Sequence, residues 1–103
     1  MSEVFSLAEG DAGLRKKVVD AASYLTDGET YSVRVRLADL RLALHREDWT
    51  RVSDELRSMQ LDDEAVLMTL DNPAEVHDED REASVDVAGE RRHIVYFAPP
   101  GGR

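Results

Sequence analysis

The side chains best suited to chemistry in this chain are three histidines and 22 carboxylates. Their spacing decides what they can do. His45, His77 and His93 fall in separate stretches, and no two share the short spacing of metal ligands. His77-Asp78-Glu79-Asp80 places an imidazole beside three carboxylates, a donor set that a hard cation could approach. The stretch lacks the glycine and the spaced acids of an EF-hand loop, and it reads as a solvated acidic face. Ser23, Ser32, Ser53, Ser58 and Ser84 stand in no nucleophile-elbow pattern. The only glycine pair, Gly101-Gly102, lies at the end of the chain, so no phosphate-binding loop is evident. Carboxylates are abundant, but no cleft that would shift their titration is legible. The expectation is a protein that is not an enzyme and uses no cofactor and no metal.

The arginines are the other candidates. A recognition surface for duplex DNA needs cations that meet phosphate and base edges. Arg34, Arg36, Arg46, Arg51, Arg57, Arg91 and Arg92 would supply them. Against this stands a net charge of −9. Residues 61–90 hold eleven acids against Arg81 alone, a segment charge of −10. Such a field repels phosphate and membrane surfaces and attracts basic partners. The arginines are expected to pair with neighbouring surface acids.

The elements that must position these groups follow from hydrophobic spacing. At 103 residues and 42% hydrophobic content the chain is expected to form one folded domain. It has no cysteine, which excludes disulfides and fits a reducing cytoplasm. The opening MSEVFSLAEG lacks the features of a signal peptide, and no apolar run approaches the roughly 20 residues that span a bilayer. The expected location is the cytoplasm. Residues 1–10 read as an arm in which Val4, Phe5 and Leu7 could dock on the body.

Leu14, Val18, Ala21, Ala22 and Leu25 mark the first helix, with Asp11 as its cap and Gly28 at its end. Tyr31, Val33, Val35 and Leu37 alternate as a short strand that hands over to a short helix near Leu37. After a turn at His45-Arg46, Trp49, Val52, Leu56 and Met59 recur at three- and four-residue intervals. They define the clearest amphipathic helix, Trp49–Gln60, with Glu47 and Asp48 in its first turn. Trp49 is expected in the core. Ala65–Leu70 and Arg92–Ala98 read as strands, the first stopped by Asp71-Asn72-Pro73. Between them, Asp78–Val85 has at most two weak helical turns. The tail at 99–103 has the composition of a flexible end.

The order helix, strand, helix, helix, strand, tip, strand over residues 11–98 resembles the winged helix-turn-helix family. The resemblance rests on element order and spacing. It implies an α+β fold with three helices, a small antiparallel sheet and an elaborated acidic wing at 71–91, and it makes Trp49–Gln60 the presented helix. That helix exposes Glu47, Asp48, Thr50, Arg51, Ser53, Asp54, Glu55, Arg57 and Ser58, four acids against two arginines.

The balance favours an adaptor or accessory subunit that binds a protein partner with a basic surface. Its expected contacts are Thr50, Arg51, Asp54 and Arg57 on the helix and Asp78, Glu79 and Asp80 on the tip. The alternative that the resemblance raises is a DNA-binding transcriptional regulator of the same fold. It would use Arg51 and Arg57 in the major groove and dimerise through the arm and the first helix.

Overall fold

The computed structural model describes residues 10–31, 33–70 and 72–99. Residues 1–9 of the expected arm, the Asp11 side chain and the last four residues lie outside the described residues. The chain begins with α1 (Gly10–Leu25), followed by β1 (Arg34–Arg36), α2 (Leu37–Ala43), α3 (Trp49–Leu61) and β2 (Ala65–Met68). Then come a single 3-10 turn (Pro73–Glu75), α4 (Asp78–Ala83), β3 (Val85–Val87), β4 (Glu90–Arg92) and β5 (Ile94–Phe97). The fold is α+β.

The three-stranded sheet has the order β1-β5-β2, antiparallel throughout. Its last strand in sequence is therefore central. In register, Val35, Val95 and Leu67 lie side by side, and all three are buried. Arg34, Tyr96 and Val66 form the neighbouring row on the opposite face, as the two-residue strand period requires. The inner face packs against α1, α2 and α3. Leu14 and Val18 of α1, Leu37 and Leu40 of α2, and Val52, Leu56 and Met59 of α3 are all buried there with Phe97. Each fully buried Val, Leu or Phe side chain stabilises the fold by about 1.5–3 kcal/mol relative to exposure.

The handover at Leu37 has a clear local cause. The Leu37 amide still donates to the His93 carbonyl at 2.9 Å, continuing the β1–β5 ladder while the residue begins α2. One otherwise unpaired amide of the helix start is satisfied in this way. The α3 end is a Schellman motif: Glu64 N donates to Met59 O and Asp63 N to Gln60 O, with Asp63 at φ 62. At the end of α1, Gly28 takes φ 90, as expected of a helix-terminating glycine, and Asp27 precedes it at φ 55.

Several elements differ from the sequence expectation. Four helices, not three, are present among the described residues, because residues 78–83 form α4. The strand expected at Arg92–Ala98 is divided at His93, with β4 pairing back to β3 and β5 entering the main sheet. Tyr31 joins the sheet only through an isolated parallel bridge to Phe97. Glu47 and Asp48 precede α3 rather than occupying its first turn. Asp48 is its N-cap and accepts from Thr50 N at 3.0 Å. Leu42 is turned outward by the helical period of α2 and is 75% exposed.

Candidate functional site

The acidic segment is the part of the molecule where charge, exposed apolar surface and concavity meet. It is not a free tip. Ala83 and Val85 are buried in the common core, and Val87 packs against it. Three apolar side chains thus draw an otherwise polar stretch onto the body. The rest of its attachment is polar and comes from every neighbouring element.

Asp80 is the centre of that attachment. Its side chain is 3% exposed, accepts from Arg36 Nη1 at 2.8 Å and from the His77 amide at 2.9 Å. Burial disfavours its ionised form. The His77 N–H and the Arg36 guanidinium outweigh that penalty and hold the carboxyl below its usual range. Arg36 Nη1 also donates to the Glu75 carbonyl at 3.3 Å, tying the 3-10 turn to β1.

The far end of α4 is capped by side chains from two other helices. Arg41 Nη1 of α2 donates to Glu82 O at 3.2 Å, and Trp49 Nε1 of α3 donates to Ala83 O at 3.2 Å. These carbonyls belong to the last turn of α4 and have no intrahelical partner. Trp49 therefore joins the core with its ring, as expected, and uses its N–H on the acidic segment. Two helical turns further on, Arg57 Nε donates to Asp86 O at 2.7 Å, while its Nη1 pairs with Asp54. Ser53, on the same row of α3 between Trp49 and Arg57, is buried.

The opposite flank of α3 is held by Arg15 of α1. It pairs with Glu55 and, at 3.0 Å, with Asp62, and it donates to Ser58 Oγ at 3.2 Å. Burial works against its charge, but the hydrogen bonds to Glu55 and Asp62 outweigh it and raise its pKa above the ordinary value. Glu55, expected on the exposed face, is only 7% exposed. The helix surface left open is consequently narrow: Thr50, Arg51, Asp54 and, near its end, Leu61. With Glu55 and Ser53 turned in, the face keeps Asp48 and Asp54 exposed beside Arg51, with Glu47 and Arg57 half-buried.

The seven arginines considered for DNA divide into two groups. Arg36, Arg57 and Arg92 are engaged in ion pairs, Arg92 with Glu90 at 2.9 Å. Arg92 Nη1 also donates to Leu67 O, on the outer edge of β2, and Arg91 Nη1 donates to Ser84 Oγ at 2.9 Å. Arg34, Arg46 and Arg51 are exposed on β1, on the α2–α3 turn and on α3, and no hydrogen bond or ion pair among the described residues engages them. Of the acids expected to meet a partner, Asp78 and Glu79 are exposed, Asp78 within an ion pair to Arg81, whereas Asp80 is buried and committed.

Between α2, the α2–α3 turn and α4 lies a groove of about 860 Å³. Leu42, Leu44 and Trp49 provide its apolar surface, with Asp39, His45, His77, Glu79 and Glu82 around it. It was not legible in the sequence. Its walls come from residues 36–49 and 77–82, two stretches far apart in sequence, and the one local signal was a leucine turned outward on a helix. No group of three or more His, Asp or Glu side chains among the described residues is placed to hold a metal ion. No helix of the described residues is long and apolar enough to cross a membrane.

No protein-family model, no curated protein and no solved structure matches the chain.

Proposed function

We propose that this chain is a non-enzymatic winged-helix interaction module that docks a protein partner bearing a basic surface, as an adaptor or accessory subunit. The winged-helix part of the reading is supported by the element order, the central position of β5, and the β3–β4 hairpin that follows β2. The non-enzymatic part is supported by the role of the two groups whose titration is displaced. Asp80 and Arg15 both sit in ion pairs that join elements, the structural use of such a shift rather than the catalytic one.

The observation that carries the partner assignment is the use of the arginines. Four of the seven that would meet a duplex donate to other groups of this chain. The exposed carboxylates of the acidic segment, Asp78, Glu79, Glu82 and Asp86, stand beside the presented helix. Phosphate contacts dominate duplex affinity, and these acids oppose them. A basic protein surface gains from the same field through faster encounter.

One observation favours the second reading, a DNA-binding regulator. Arg34, Arg46 and Arg51 are exposed, and Arg51 lies on the open ridge of α3. The deciding experiment is affinity purification of the tagged full chain from the cells that express it, with and without nuclease, identifying both proteins and nucleic acids. The proposal predicts a stoichiometric protein partner that survives nuclease. Recovery of nucleic acid without such a protein would overturn it.

A further inference from the structure

The groove between α2 and α4 combines three properties. It is concave. It exposes apolar surface, with Leu42 75% exposed beside half-buried Trp49 and buried Leu44 at its edge. Its charge is one-sided. Of the five carboxylates that line it, Asp80 is paired with Arg36 and Glu47 with Lys17, the latter at 3.1 Å. Asp39, Glu79 and Glu82 are exposed, and no cation among the described residues pairs with them. Arg41, the other guanidinium of the lining, donates to the Glu82 carbonyl and keeps its charge, so three carboxylates without an ion pair stand against one such cation.

We propose that this groove is the docking site for a cationic amphipathic segment of a partner protein. Apolar side chains of the segment rest on Leu42 and Trp49, and its lysines or arginines meet Asp39, Glu79 and Glu82. The occupant follows from charge complementarity. An anionic ligand meets a net excess of carboxylate over the Arg41 guanidinium, and a purely apolar one leaves Asp39, Glu79 and Glu82 desolvated without ion-pair partners. A basic segment satisfies both the charge and the apolar floor. The inference rests on the protein-partner reading above and gives that partner a chemistry and a place.

Trp49 is the sole tryptophan of the chain and lines the groove, so its emission reports occupancy directly. The probe is a synthetic peptide about three helical turns long, leucine on one face and lysine on the other. Controls of the same length carry leucine with glutamate, or lysine with glutamine. The full chain should give a saturable emission change with the leucine–lysine peptide, weakened by salt. The leucine–glutamate peptide should give none, and the lysine–glutamine peptide should bind more weakly.

The combined variant Asp39→Asn, Glu79→Gln, Glu82→Gln changes only exposed side chains, and its fold is checked by circular dichroism. It should lose about tenfold in affinity. Leu42→Ser should weaken the leucine–lysine peptide selectively. Absence of saturable binding, equal binding of the leucine–glutamate peptide, or unchanged affinity in the combined variant would overturn the proposal. A purified natural partner that binds the combined variant at unchanged affinity overturns the groove assignment and leaves the protein-partner reading standing. Nucleic acid recovered without protein overturns both.

Discussion

Replacing Asp80 with alanine removes the acceptor that joins α4 to β1. The wild-type carboxylate is almost fully buried and receives two donors, Arg36 Nη1 at 2.8 Å and the His77 amide at 2.9 Å. Hydrogen bonds to a charged group contribute about 1.5–3 kcal/mol, and loss of a helix-start acceptor costs about 1 kcal/mol. The Arg36 side chain is 37% exposed and regains water, which limits the penalty. The expected destabilisation is about 2–3 kcal/mol, which lowers Tm by roughly 10–15 °C for a domain of this size.

The same variant predicts a pH dependence. The Asp80 carboxyl titrates below its usual range in the folded chain, so its contribution is fully present above the unfolded value near about 3.9 and is lost as pH falls through the folded value. The stability gap between wild type and Asp80→Ala should be constant through neutral pH and close in acid. Urea unfolding followed by both far-ultraviolet circular dichroism and Trp49 emission is the assay. Because Trp49 Nε1 bonds Ala83 O, emission should report loosening of the segment before the global transition in the variant. A loss of unfolding free energy below about 0.5 kcal/mol at neutral pH, or a gap that persists in strong acid, would refute the role given to this carboxylate.

Three further outcomes follow from single contacts. Ala88 and Gly89 both take positive φ in the two-residue turn between β3 and β4, so Ala88→Asn should stabilise by about 0.5–1 kcal/mol in urea titration; destabilisation contradicts the turn assignment. Leu56 is fully buried beneath α3, and Leu56→Ala should cost about 3 kcal/mol by the same measurement, with a loss below about 1 kcal/mol arguing against its core position. Arg57→Ala removes the donor to Asp86 O and, because the side chain is partly exposed, should cost about 1 kcal/mol or less. Its signature is faster hydrogen exchange in β3 and β4 with α1 unchanged; uniform exchange rates in all three would count against the pinning.

Much of the scaffold was legible because its signals are local. The alternation through Val33, Val35 and Leu37 and the helix formers that follow marked the handover that Leu37 makes, and the Trp49-Val52-Leu56-Met59 spacing marked α3. The acidic segment was read as an elaborated wing, and its attachment to the body was not legible because composition reports only average polarity. Its docking depends on Asp80 meeting Arg36, 44 residues away, and on Trp49 reaching Ala83, 34 residues away, relations that no local period carries. Glu55 was read as exposed for the same reason: its neighbours in α3 say nothing of Arg15 on α1. The groove inherits both gaps, since it exists only once α4 folds back beside α2.

The presented face of this fold is proposed to serve a basic protein surface rather than a nucleic acid. The most direct test is a fluorescence-anisotropy titration of the full chain against a labelled pool of random-sequence duplex DNA at low salt, where phosphate contacts are strongest. No saturable binding is expected. Saturable binding that falls steeply with salt and is lost in Arg51→Ala would contradict this proposal and establish the open ridge of α3 as a duplex-reading surface.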